Sequence, residues 1–202
     1  LFILVYFPCV SALGVVIRGA SFGTVVQRCV FRGVGGGVIF TFGGQGTVLD
    51  CDFAPAPRGT GVQVDSGTGI VRNCLIRSTT QPLRCDFGRL EVYDSDIRGG
   101  KVDEQGAPGY TMFVANNTVV RNSHILRGET LTIFALTPGE RVIDVRENWW
   151  GTTDLDSIRA WINEEEANIL FEPILQAPVS AKEESVGSFK ARFRSVPDDE
   201  SP

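Results

Sequence analysis

The sequence predicts an all-β fold, a parallel β-helix solenoid of about five or six coils closed by a short C-terminal α-helix cap. The first observation behind this is a phrase that recurs as Arg28-Cys29-Val30-Phe31, Asp50-Cys51-Asp52-Phe53, Asn73-Cys74-Leu75-Ile76, Asp94-Ser95-Asp96-Ile97, Asn122-Ser123-His124-Ile125 and Asn148-Trp149-Trp150. Its closing apolar residues stand 22, 23, 21, 28 and 25 positions apart, the length of one solenoid coil. The second is that 23 glycines break the chain into short Val, Ile and Phe runs, which favours strands and turns over helices. The third is a change of pattern after Trp150, from strand-like runs to helical spacing.

The elements follow in order. Residues 1–13 read either as the remnant of a secretory signal or as a partial first coil. Leu1 to Phe7 is apolar and Val10-Ser11-Ala12 offers small residues for a signal peptidase, while Cys9 lies 20 residues before Cys29. The apolar stretch, interrupted by Pro8, is too short for a membrane span. With no initiator Met, the chain reads as part of a longer one.

Residues 14–150 carry the coils. Each holds two or three brief runs, such as Val38-Ile39-Phe40, Thr47-Val48-Leu49 and Gly61-Val62-Gln63-Val64. Such runs are too short to stand alone, but stacked coil on coil they pair every backbone group with neighbours above and below. The long step between Ile97 and Ile125 places an insertion at Gly99 to Gly109, and Ala54-Pro55-Ala56-Pro57-Arg58-Gly59 makes a second loop. Insertions in a solenoid map to one face, often the working one.

Residues 151–178 form the cap. Thr153 reads as a helix N-cap, and Leu155, Ile158, Trp161 and Ile162 share one face of a helix over 154–166, with a final strand at Ile169-Leu170-Phe171. A cap is needed because a solenoid end exposes unpaired strand edges. Residues 179–202 are charged, poor in apolar groups, and read as a flexible tail or linker.

Composition narrows the function. A net charge of −5 with 19 scattered basic residues argues against a nucleic-acid partner, which needs a concentrated Lys/Arg surface. Three of the five cysteines, Cys29, Cys51 and Cys74, hold one place in successive coils. Roughly 4.8 Å apart, they read as a buried column of reduced, small hydrophobes. Without CxxC spacing or paired histidines, they do not read as a metal site.

The stretch Asn148-Trp149-Trp150-Gly151-Thr152-Thr153-Asp154, with Ile158, Ile162 and Phe171-Glu172-Pro173-Ile174-Leu175 after it, resembles the C-terminal end of right-handed parallel β-helix proteins of the pectate-lyase-like superfamily. Asn73-Cys74-Leu75-Ile76 and Asn122-Ser123-His124-Ile125 resemble its N-C-x-I/F turn phrase. The resemblance spans about residues 14–178 and implies a right-handed coil. It also implies a bacterial secreted, periplasmic or cell-surface setting and a polysaccharide or cell-surface glycan as partner. Members of that superfamily include lyases, hydrolases, esterases and many segments without catalysis.

The candidate chemistry comes from aligning Val62-Gln63-Val64-Asp65 with Leu83-Arg84-Cys85-Asp86, which sets Asp65 beside Asp86 and Gln63 beside Arg84, each pair 21 residues apart. Two neighbouring carboxylates split into an acid with a raised pKa and a partner held ionised, here by Arg84 or Arg89. Asp65, Asp86 and Arg84 are therefore the candidate catalytic residues, and Gln63 with the loop residues Lys101, Asp103 and Glu104 the candidate binding residues. Asp86-Phe87-Gly88 faintly resembles the D-F-x-x-G phrase of pectin methylesterases, but it is shorter and no G-R-x-W follows. Both aspartates equally suit strand ends where they cap turns. No resident cofactor is expected; calcium, a hard cation that takes several oxygen ligands, could sit on Asp65 and Asp86 with Asp103 or Glu104.

His124, the sole histidine, is expected to face solvent, and Trp150 to join the inward column. The expectation is a secreted or surface β-helix segment, carbohydrate-binding or structural and adhesive, without catalysis. The alternative is a polysaccharide lyase, hydrolase or esterase acting on an acidic polysaccharide.

Overall fold

A computed structural model describes residues 2–3, 13–19, 23–32, 35–53, 59–78, 80–100, 106, 109–115, 117–129, 131–135, 142–163 and 168–179. In each coil the chain visits three parallel sheets in turn. Sheet I holds six strands, β2 (Leu13–Arg18), β5 (Gly36–Thr41), β8 (Thr60–Val64), β11 (Gln81–Cys85), β14 (Met112–Val114) and β17 (Ile133–Ala135). Sheet II holds eight, β1 (Phe2–Ile3), β3 (Thr24–Gln27), β6 (Gly44–Leu49), β9 (Gly67–Arg72), β12 (Arg89–Tyr93), β15 (Thr118–Arg121), β18 (Val142–Asp144) and β19 (Asn168–Leu170). Sheet III holds five, β4 (Val30–Phe31), β7 (Asp52–Phe53), β10 (Leu75–Ser78), β13 (Asp96–Gly99) and β16 (His124–Leu126). The result is a parallel β-solenoid of about five turns with one short helix among the described residues. Phe2 and Ile3 pair in parallel with Val25 and Val26, which adds a strand to sheet II before the first complete coil.

The strands alternate, so every second side chain points inward. Val26, Val48, Val71, Val92 and Val120 make one inward column from sheet II, each fully buried. Phe31, Phe53, Ile76, Ile97, Ile125 and Trp150 make another from sheet III, as the repeat predicts. Phe31 and Phe53 stack with ring centroids 4.7 Å apart, close to one coil rise.

The corner between sheets II and III is the most regular part of the molecule. Arg28, Asp50, Asn73, Asp94, Asn122 and Glu147 all sit there in the left-handed region, with φ from 49° to 57°. Asn and Asp tolerate that conformation best, which is why they dominate the column. After each comes a buried residue, giving the column Cys29, Cys51, Cys74, Ser95, Ser123, Asn148. The sequence casts its cysteines as small hydrophobes; the structure shows them working as hydrogen-bonding groups. The Cys29 amide donates to Cys51 Sγ at 3.4 Å, Cys51 to Cys74 Sγ at 3.5 Å, and Cys74 to Ser95 Oγ at 3.1 Å. Ser95 N then donates to Ser123 Oγ at 3.0 Å, and Ser123 N to Asn148 Oδ1 at 2.9 Å. The αL turn takes these amides out of the sheet ladder, so the next coil's side chain supplies the acceptor. The four described cysteines are buried thiols outside any disulfide; Cys9 lies outside the described residues.

Between sheets III and I the coils close on glycine. A Cβ on Gly37 would lie 2.5 Å from the Phe53 ring, and one on Gly61 2.5 Å from Ile76 Cγ2. Both inserted loops leave from this corner, between β7 and β8 and between β13 and β14. Lys101, Asp103 and Glu104 lie outside the described residues.

The cap differs from expectation in its limits. Its helix α1 runs only Leu155–Ala160, and its N-cap is Asp154, not Thr153: the Asp154 carboxylate accepts the Asp156 amide at 3.3 Å and the Ser157 hydroxyl at 2.5 Å. Carboxylate caps suit the helix N-terminus better than a hydroxyl because they also meet its positive end. The helix stops early because Ile162 leaves it to bridge Ile133 of β17, after which β19 joins sheet II. The cap is thus a degenerate further coil, with α1 in place of the run from sheet III to sheet I. Ile158 is fully buried and Ile162 nearly so, with Leu155 and Trp161 packed against the core. His124 is not turned to solvent: its Nε2 lies 3.1 Å from the Val179 carbonyl and its Nδ1 3.9 Å from Asp96. The chain leaving the cap thus meets β16, the last strand of sheet III, at Val179.

Candidate functional site on the outer face of sheet I

The outward row of sheet I reads Val16, Ile39, Gln63, Arg84, Phe113, Phe134, each paired in register with the next. It passes from aliphatic through polar to aromatic along the solenoid axis. Gln63 lies opposite Arg84, as the alignment of the two coils requires. Asp65 and Asp86 follow β8 and β11 at equivalent positions: the Asp65 amide donates to Phe40 O and the Asp86 amide to Val64 O, both at 2.9 Å.

Each carboxylate is engaged within its own coil. Gln63 Nε2 donates to Asp65 Oδ1 at 2.5 Å, and Arg84 Nε grips both Asp86 oxygens at 3.1 and 2.9 Å. Residues two apart on a strand share a face, so these pairs are set by the strand period itself. Arg84 also reaches Gln81 Oε1 at 3.4 Å and lies 5.0 Å over the Phe113 ring. Arg89, the other cation the sequence offers to these carboxylates, instead pairs with Glu91 on sheet II at 2.6 Å.

Sequence reasoning missed the aromatic groups. Tyr110 stacks on Phe134 at 4.7 Å and Phe134 on Phe113 at 5.7 Å, with the Arg84 guanidinium at the end of the stack. These rings fill one another's faces, so the stack stiffens the face rather than offering a free platform. The exposed rings are at the corner between sheets I and II, where Phe42, with Arg18 5.5 Å over one face, is 71% and Phe87 77% exposed. Thr41-Phe42-Gly43 and Asp86-Phe87-Gly88 carried the signal, an aromatic beside a turn glycine where a core residue has no place.

Among the described residues no three His, Cys, Asp or Glu side chains gather as a metal centre, and no helix is long and apolar enough to cross a membrane. No family model, curated protein or solved structure matches the chain.

Proposed function

We propose that this chain is a secreted, periplasmic or cell-surface β-helix segment of the pectate-lyase-like kind that binds carbohydrate on the outer face of sheet I without transforming it. The observation that carries this reading is the repetition of in-coil pairs, Gln63 with Asp65 and Arg84 with Asp86, in register one coil apart. A periodic row of fixed donors and acceptors suits a periodic ligand rich in hydroxyls, and exposed aromatic rings flank it. The engagement of each carboxylate by its own neighbour supports binding over catalysis, since general acid work requires a carboxyl group free to reach the substrate. The αL corner with its buried column, and the Trp149-Trp150-Gly151 stretch where that column ends, support the superfamily assignment.

Affinity electrophoresis of the chain through neutral and acidic polysaccharides tests this, run beside assays for unsaturated products, new reducing ends and methanol. Retardation without product supports the reading. Product that vanishes in Asp86→Asn overturns it in favour of a lyase, hydrolase or esterase.

A further inference from the structure

The ridge between sheets I and II points to the kind of carbohydrate. Its tips are Phe42, Ser66 and Phe87 in three successive coils, and both rings are largely exposed while Phe31, Phe40 and Phe53 of the same coils are buried. Folding does not account for Phe42, which holds φ at +52°, a conformation unfavourable for a bulky L-residue. Its amide is fixed there by Ser66 Oγ at 2.8 Å.

Beneath the tips the coils touch through glycine: a Cβ on Gly67 would lie 2.2 Å from Gly44 O, and one on Gly88 2.6 Å from Gly67 O. This close stacking throws the tip residues outward and keeps the ridge rigid, so little ordering remains to be done on binding. Phe42 and Phe87 stand two coils apart, roughly 10 Å at the spacing of paired strands, which is also the disaccharide repeat of an extended β-1,4-linked glycan.

Charge selects among such glycans. The groups behind the ridge are the carboxylates Asp65 and Asp86, with Arg84 already bound to Asp86 and Arg18 lying 5.5 Å over the Phe42 ring. Arg84 and Arg18 balance Asp65 and Asp86, so the ridge has no net positive charge to draw a uronate chain, while hydroxyls can donate to the carboxylates. Resting on the carbohydrate reading above, we propose that the ridge binds an uncharged, linear β-1,4-linked polysaccharide laid along the solenoid axis. Alternate sugars stack on Phe42 and Phe87, and the hydroxyls between them meet Ser66, Asp65 and Asp86. This departs from the acidic substrate that the superfamily resemblance implies.

Calorimetric titration of the full chain with cellohexaose, xylohexaose and mannohexaose, against hexagalacturonate, tests it. The expected result is that at least one uncharged hexamer binds about tenfold or more tightly than hexagalacturonate, and more tightly than its own dimer, which cannot place alternate sugars on both rings. Phe42→Ala and Phe87→Ala should each weaken binding about tenfold or more, with Phe87→Tyr retaining it. Thermal midpoints should stay near that of the parent chain, because both rings are in water. Preference for hexagalacturonate, or binding indifferent to both Phe→Ala changes, overturns the ridge while leaving a carbohydrate-binding chain. Failure to bind any of the four hexamers, together with no retardation in any polysaccharide gel, overturns both.

Discussion

Replacing Asn148 by Ala tests whether the buried column holds the corner between sheets II and III. Asn148 is fully buried, and its Oδ1 accepts the Ser123 amide while its Nδ2 donates to the carbonyls of Val120, Val145 and Arg146 at 2.8, 2.7 and 3.0 Å. Without the side chain the Val120 and Arg146 carbonyls keep the Arg121 guanidinium, at 3.1 and 3.5 Å. The Ser123 amide and the Val145 carbonyl lose their partners. A buried polar group left unpaired costs about 1–3 kcal/mol, so the change should cost about 2–6 kcal/mol. Ser123→Ala strands only the Ser95 amide, because the Arg121 carbonyl it also serves still accepts Asp94 N at 3.3 Å, so about 1–3 kcal/mol is expected. Asn148→Asp keeps the acceptor but sets a carboxylate against three carbonyl oxygens, which raises its folded pKa above the unfolded value. The part of its penalty that comes from ionisation is therefore absent at low pH and grows as pH rises from the unfolded carboxyl pKa to that folded pKa. Urea unfolding followed by circular dichroism and tryptophan fluorescence, with coincident transitions and unchanged slope, gives the differences. If Asn148→Ala costs no more than Ser123→Ala, or Asn148→Asp is no worse at pH 7 than at pH 4, the column is packing and not a hydrogen-bonded ladder.

Two further outcomes follow from the titratable groups. Burial pushes the Cys85 thiol up to about 11, while Cys51, lowered by its hydrogen bond with Cys29 but raised more by that with Cys74 and by burial, lies well above the ordinary thiol range. Alkylation at pH 8 with peptide mapping should leave Cys29, Cys51, Cys74 and Cys85 unmodified in the folded chain and label all four in denaturant; rapid labelling of Cys51 in the folded state would refute the ladder. Arg146, joined by Arg121 against the opposing effect of burial, holds the Asp144 carboxyl well below the usual carboxylate range. A depressed carboxylate stabilises above its unfolded pKa, near 4, and the contribution fades as pH falls toward the folded one. Asp144→Asn should therefore lower the thermal midpoint most at pH 6 and progressively less below pH 4, and a pH-independent gap would show that the ion pairs contribute nothing.

The fold was legible because one coil imposes one register. Any residue type repeated at 21 to 23 positions between Phe31 and Ile97 had to stack on itself, so the inward column through Trp150 and the Gln63/Arg84 pairing could be read by alignment alone. The cap helix was legible in its apolar face but not in its length, because Ile162 fits helical spacing and a strand bridge equally well, and only the presence of Ile133 decides. The exposed aromatics were hidden for a different reason. In a chain whose core is built of Phe, Val and Ile, Phe42 and Phe87 look like core residues, and only the one-residue geometry of the corner turns them outward. Phe113 and Phe134 were hidden by flanking apolar neighbours, Met112 and Val114 or Ile133 and Ala135, which take the inward positions.

The change of residue along the buried column has its own physical logic. An interior column residue accepts one amide and gives its single proton to carbonyls around it, and Cys serves: Cys51 Sγ accepts the Cys29 amide at 3.4 Å and lies 3.3 Å from Leu49 O and 3.6 Å from Val26 O of the preceding coil. After Asn148, sheet III has no further strand among the described residues, only the Trp149 bridge to His124. The last column residue must therefore do the same and also donate to Val145 O, whose equivalents Val26 O and Val48 O take the thiol of the next coil's cysteine. Ser has one proton to give and Cys a weak one; a carboxamide has two, and Asn148 places them on three carbonyls. The switch from Cys and Ser to Asn in the repeat is thus a termination signal written in hydrogen-bond capacity. A chain with Asn moved to position 123 and Ser to 148 should lose stability at its C-terminal end first, even though its composition is unchanged.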